Sequence, residues 1–187
     1  MKSIDELLKM DDEERAEYLF DETGYSEKLD PKYEEILKLN PHYAYKYARH
    51  VLHDRWPEAE PYIIKSPKYA YKYAVNVMND RWPEAEEYIM KDPEYASYYA
   101  ADIIQDRWPE AEEIIMKDPY ASYEYAVYVL EGRFLKAEPY IMKDPKWAYW
   151  YAKKIIGGRW LESEEHIKKD NYWWKEYCNH FEMKRIR

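Results

Sequence analysis

Counted from Pro67, apolar side chains stand at steps 2, 3, 6, 7, 10 and 11: Tyr69, Ala70, Tyr73, Ala74, Val77 and Met78. That spacing gathers them on one broad face of an α-helix and leaves Lys68, Lys72, Val75 and Asn79 on the other. The pattern starts again at Pro41, Pro93, Pro119 and Pro145, a strict period of 26 residues. Step 7 is alanine in every copy (Ala48, Ala74, Ala100, Ala126 and Ala152), as expected where two helices approach closely. A fixed period of this length predicts an all-α solenoid, in which each unit buries its face on its neighbours.

The polar residues set the expected boundaries. Asn40, Ser66, Asp92, Asp118 and Asp144 precede the marker prolines, the order of a capping side chain followed by proline in the first turn. The long helix is expected to stop near Asp54, Asp80, Asp106, Gly132 and Gly158, where aspartate or glycine accepts a left-handed conformation. A second, shorter helix is predicted in WPEAEPYIIKS, from about Glu58 to Lys65. Pro61 and Pro139 alternate there with Glu87 and Glu113, so that position needs no backbone N–H and belongs in the first turn. Lys65, Lys91, Lys117 and Lys143 then fall in the last turn, where a cation suits the helix dipole.

Between the two helices the segment DRWPEAE recurs unchanged at residues 54–60, 80–86 and 106–112. Trp56, Trp82, Trp108, Phe134 and Trp160 are expected to seal the joint between units, with the preceding arginines bonded to helix-end carbonyls or to glutamates such as Glu58 and Glu60. A catalytic group is needed once, whereas a joint is needed in every unit, so the motif reads as structural.

The ends depart from the repeat. Residues 1–30 form an acidic cap, with two short helices expected over residues 3–20 from the pairs Ser3 and Glu6, then Asp11 and Glu14. Residues 31–39 match the short helix of a half-repeat, the array runs over 31–165, and 166–187 supply a capping helix with Asn171 in the proline position. The whole is read as a single continuous domain.

Composition narrows the choice. Only 4 glycines against 23 tyrosines and 8 tryptophans argue against a glycine-rich phosphate loop or a turn-rich β-sandwich. Cys178 is the single cysteine, so no internal disulfide is possible and a reducing compartment is implied. No apolar run reaches the ~20 residues of a membrane span, and the N-terminus lacks the apolar centre of a signal peptide; a cytoplasmic location without membrane association is expected. The formal charge of -9 suggests nucleic-acid mimicry, but residues 1–30 carry 11 acids and 4 bases (-7), leaving 27 acids and 25 bases (-2) for the rest.

The stretches YAYKYA, VMNDRWPEAEEYIMKDPEYA and GRFLKAEPYIMKDP resemble tandem-repeat proteins of bacteriophages and large DNA viruses, whose pattern is YA, a Val/Ile pair, GR(W/F)PEAE, isoleucine and DP. The resemblance covers about residues 31–165. It implies a viral origin, a place in the host cytoplasm and an interaction role rather than a reaction. The chain departs from the pattern at Asp54, Asp80 and Asp106, where glycine is usual, and at Leu135 and Leu161, where proline is lost.

No catalytic motif is present and no cofactor is implied. His50 and His53 share a helix face but fall short of the four ligands of a structural zinc site, and Cys178 with His180 does not make a nucleophile and base pair. The informative positions are those the repeat leaves free, steps 1, 5, 8 and 12 of the long helices. They run from basic (Lys46, Arg49, Lys72) through acidic and aromatic (Glu94, Tyr98, Tyr120, Glu124) to Lys146, Trp150 and Lys153. Beside them, step 4 gives Tyr45, Tyr71, Ser97, Tyr123 and Tyr149, a candidate aromatic ladder or, equally, inter-unit packing. Rigid aromatic anchors among charges suit a protein interface. The expectation is therefore a non-enzymatic binding protein that blocks or redirects a host protein, for example a defence component. The alternative is nucleic-acid or nucleotide binding, with bases on Tyr71, Tyr98 or Trp150 and phosphates on Lys46, Arg49, Lys72 and Lys153, or a DNA mimic resting on the N-terminal acids.

Overall fold

A computed structural model describes residues 1–183, and all regular secondary structure among them is helical. The architecture is the expected α-solenoid of 26-residue, two-helix repeats with a divergent helical cap at each end. Contacts divide the chain into two compact units, Met1–Ile89 and a second beginning at Met90, so the division falls at the end of the second repeat's short helix.

The first unit opens with α1 (Ile4–Leu7) and α2 (Asp12–Asp21). Ser3 and Glu6 form a complete capping box, while at Asp11 the forward bond from the Glu14 N–H closes the turn. Next come α3 (Pro31–Leu37), α4 (Pro41–Tyr47), α5 (Glu60–Ile63), α6 (Pro67–Tyr73) and α7 (Pro83–Ile89). α2 packs on α3 and α4, and α4 on α6, around Leu7, Leu19, Phe20, Leu37 and Tyr47, all with no exposed surface.

The second unit holds α8 (Pro93–Tyr99), α9 (Pro109–Ile115), α10 (Pro119–Tyr128), α11 (Glu138–Ile141), α12 (Pro145–Tyr151), α13 (Leu161–Ile167) and α14 (Asn171–His180). α8, α10, α12 and α14 stack in sequence, with the short helices packed beside them. The step-7 alanines of both units have no exposed surface, which lets neighbouring long helices approach.

Two boundaries differ from expectation, and each has a local cause. The short helix has two lengths. Where proline stands fifth counting from Pro57 or Leu135, at Pro61 and Pro139, it shrinks to four residues beginning at Glu60 and Glu138. Where glutamate stands there (Glu35, Glu87, Glu113 and Glu165), it runs seven residues. Proline has no N–H to donate to the carbonyl four residues back, so the first regular turn cannot form.

The long helix ends one residue earlier than predicted. In four repeats its last turn widens into a π-turn that starts at the step-7 alanine: Ala48–Leu52, Ala74–Met78, Ala100–Ile104 and Ala152–Ile156. The left-handed residue that closes it lies at step 12: His53, Asn79, Gln105, Glu131 and Gly157, with φ from 47° to 70°. Asp54, Asp80 and Asp106 serve differently, each accepting the next arginine's backbone N–H on its side chain at 2.6–2.7 Å. Four of the five expected caps form, from Asn40, Asp92, Asp118 and Asp144; Ser66 occupies the cap position without a side-chain bond.

Candidate functional site

The repeated corner is closed. Trp56, Trp82, Trp108, Phe134 and Trp160 are only 3–5 % exposed, and each packs on the step-6 tyrosine of the long helix before it, at 4.9–5.4 Å between ring centres. Those tyrosines are fully buried, yet their hydroxyls are satisfied in both directions. Tyr125 Oη accepts the Trp108 backbone N–H at 2.7 Å and donates to Glu112 Oε1 at 3.2 Å. The arrangement repeats through Tyr73 with Trp56 and Glu60, Tyr151 with Phe134 and Glu138, and Tyr177 with Trp160 and Glu164.

The same glutamates take the arginine through Nε and Nη2, as Arg55 does on Glu60 at 2.8 Å for both bonds. Arg81, Arg107, Arg133 and Arg159 repeat it on Glu86, Glu112, Glu138 and Glu164. Glu58 is exposed, so the partner is the second glutamate of the motif alone. Burial raises the tyrosine pKa first, to about 12 for Tyr125 and Tyr177 and higher for Tyr73 and Tyr151. No buried side-chain polar atom lacks a hydrogen bond among the described residues. Sequence reasoning treated step 6 as merely apolar. The missed signal was that the position is tyrosine in every copy and never phenylalanine, so the hydroxyl itself is required.

The outward strip is a different environment. In the first unit, Lys46 Nζ lies over Phe20 at 4.3 Å and Tyr43 at 4.9 Å, and Arg49 Nη1 donates to Tyr45 Oη at 2.7 Å. Both cations are thus engaged within their own unit. Tyr71 and Lys72 are half-buried on α6. Tyr45 is buried against Tyr69, which also stacks on His42 at 5.0 Å.

In the second unit Tyr120 and Tyr123 meet Trp147 at 4.7 and 5.3 Å, and Tyr149, 4 % exposed, meets Trp173 at 5.7 Å. The step-4 tyrosines Tyr45, Tyr123 and Tyr149 therefore pack against the step-2 aromatic of the next repeat instead of stacking on one another as a ladder. Trp150 is half-buried beside Tyr149, with Lys153 Nζ 5.0 Å from its ring centre.

Three strip residues of α8 and α10, Glu94, Tyr98 and Tyr120, come together. The hydroxyls of Tyr98 and Tyr120 are 2.5 Å apart, and Tyr98 donates to Glu94 Oε1 at 3.3 Å. Glu124, half-buried, has its pKa raised, first by burial and then by the charge of Glu94. His50 is held below its ordinary pKa, first by burial and then by Arg49. Among the described residues no three His, Cys, Asp or Glu side chains converge as metal ligands, and no helix is long and apolar enough to cross a membrane. No protein-family model, curated protein or solved structure matches the chain.

Proposed function

We propose that this chain is a non-enzymatic helical-repeat protein that works by binding another protein along the outward strip of its long helices, blocking or redirecting it. One observation carries the reading: Tyr98, Tyr120 and Trp150 sit half-buried on a polar face, while the repeated residues of DRWPEAE are consumed inside the corners. Aromatic rings already ordered by neighbours lose little entropy on docking, which suits them as anchors. The viral-family resemblance of residues 31–165 supports a host protein, including a defence component, as the partner, in the host cytoplasm; that part rests on the resemblance alone. Lys46, over Phe20 and Tyr43, and Arg49, bonded to Tyr45, are engaged within their own unit and weigh against the nucleic-acid reading.

The test is capture of partners from a lysate of the cells that produce the chain, using the full chain and a Tyr98→Ala/Trp150→Ala variant checked by circular dichroism. A saturable protein partner lost with the folded double variant supports the reading. Capture of nothing, or of labelled oligonucleotide in preference to protein, overturns it.

A further inference from the structure

Charge is segregated between the long-helix segments of the second unit. Residues 93–106 and 119–132 contain five acids (Glu94, Asp102, Asp106, Glu124 and Glu131) and no lysine, arginine or histidine, whereas residues 145–158 contain Lys146, Lys153 and Lys154 and no acid. Among the described residues the unit's arginines, Arg107, Arg133 and Arg159, are each committed to a corner glutamate. Lys146 and Lys153 lie over Trp147 and Trp150. Glu124, half-buried, has no hydrogen bond and no ion pair among the described residues; its one resolved charge neighbour is Glu94, of like sign. Glu94 and Tyr98 stand four residues apart on α8, as Tyr120 and Glu124 do on α10, and the hydroxyls of Tyr98 and Tyr120 bond the two helices together, with Tyr98 also bonded to Glu94.

We propose that this face of α8 and α10 docks a basic protein segment, with a lysine or arginine side chain laid along Tyr98 and Tyr120 and its charged head between Glu94 and Glu124. Charge complementarity selects that occupant: a cation removes the repulsion between the carboxylates, and the aliphatic stem covers the exposed ring surface. An acidic segment would add to the repulsion. The inference rests on the protein-binding reading and names the chemistry of the partner.

The test uses fluorescein-labelled octapeptides of alternating glycine with arginine, lysine or glutamate, titrated against the full chain by anisotropy. The arginine and lysine peptides should bind, more weakly as salt is raised, and the glutamate peptide should not. Glu94→Gln/Glu124→Gln should lower affinity by about tenfold or more, the loss of one good charged contact. Glu84→Gln/Glu110→Gln makes the same change in net charge on exposed acids elsewhere and should leave affinity unchanged. Equal losses in the two double variants, or no binding of either basic peptide, would overturn the inference. If a cellular protein is captured through Tyr98 and Trp150 yet binds Glu94→Gln/Glu124→Gln normally, the basic-segment inference fails and the protein-binding reading stands. If no protein is captured at all, it is that reading which fails.

Discussion

The corners and the outward strip use the same residue types in opposite ways. At a corner, tyrosine, glutamate and arginine bond one another: Glu112 accepts from Arg107 and Tyr125, and Tyr125 accepts the Trp108 N–H in return. On the strip of α8 and α10, tyrosine and glutamate also meet, but among the described residues Glu124 has no ion pair and its charge neighbour is Glu94, of like sign. The corner hardly varies from repeat to repeat, whereas the strip changes in sign and size at every step. Residues that solve a problem common to all units must repeat; residues that meet something outside the chain are released from the repeat.

The strongest way to break this contrast is at a corner ring. Trp108→Ala should destabilise the protein by about 3–5 kcal/mol, because a nearly fully buried indole leaves a cavity against Tyr99 that the helix ends cannot collapse to fill. Trp82→Ala on Tyr73 should behave alike. Urea unfolding followed by circular dichroism measures both, and loss of cooperativity should accompany the loss of stability. A variant as stable as its parent would mean that the corner is not a joint.

The corner tyrosines add a pH dependence with a definite sign. Their phenols ionise at about pH 10 in the unfolded chain, and burial pushes them up in the fold, to about 12 for Tyr125 and Tyr177. Between those values the unfolded chain has released protons that the folded chain retains, so stability is intact below about pH 10 and falls as pH rises beyond it. In an alkaline titration, tyrosinate absorbance from these residues should appear together with the loss of helical circular dichroism. Ionisation of the full tyrosine complement with the helices intact would show that the hydroxyl network does not hold the corner.

Much of the fold was legible because the chain repeats itself. The 26-residue period, the proline after a capping residue and the buried step-7 alanine each recur five times, so chance is averaged away. What escaped was chemistry that looks apolar in one letter. Tyr73 and Tyr151 counted as core residues by periodicity, yet their hydroxyls carry the link between backbone, glutamate and arginine. The left-handed stop was placed one residue late because Asp54 and Asp80 favour turns, while a π-turn moves the positive φ to His53 and Asn79. On the strip, single copies offered no averaging, and only contacts could separate Tyr149, which is core, from Tyr98, which is half-buried.

Within the helix ends, the same contrast can be sharpened by substitution. Glu131 holds a left-handed conformation with φ 47° where the fifth repeat has Gly157. A side chain there costs about 1 kcal/mol relative to glycine, so Glu131→Gly should raise stability by about that amount, and Gly157→Ala should lower it comparably. Thermal melts of the two variants should move in opposite directions. Shifts of the same sign would show that contacts of the Glu131 side chain outweigh its backbone strain.

The smallest effect is expected at Glu124, and it bears most directly on the contrast. Burial and the charge of Glu94 raise its pKa in the fold, so the ionised carboxylate is held less comfortably there than in the unfolded chain. The resulting handicap is absent below the unfolded value of about 4, grows as pH rises through the folded value, and is fully present at neutrality. Glu124→Gln removes the charge, so its melting temperature should lie slightly above the parent's at pH 7 and converge with it in acid. A corner glutamate such as Glu112 should respond in the opposite way, because Glu112→Gln breaks its pair with Arg107 and weakens the bond from Tyr125. If Glu124→Gln instead lowers the melting temperature at neutral pH, then Glu124 serves the packing as the corner acids do, and the strip is not the part of the molecule set aside for a partner.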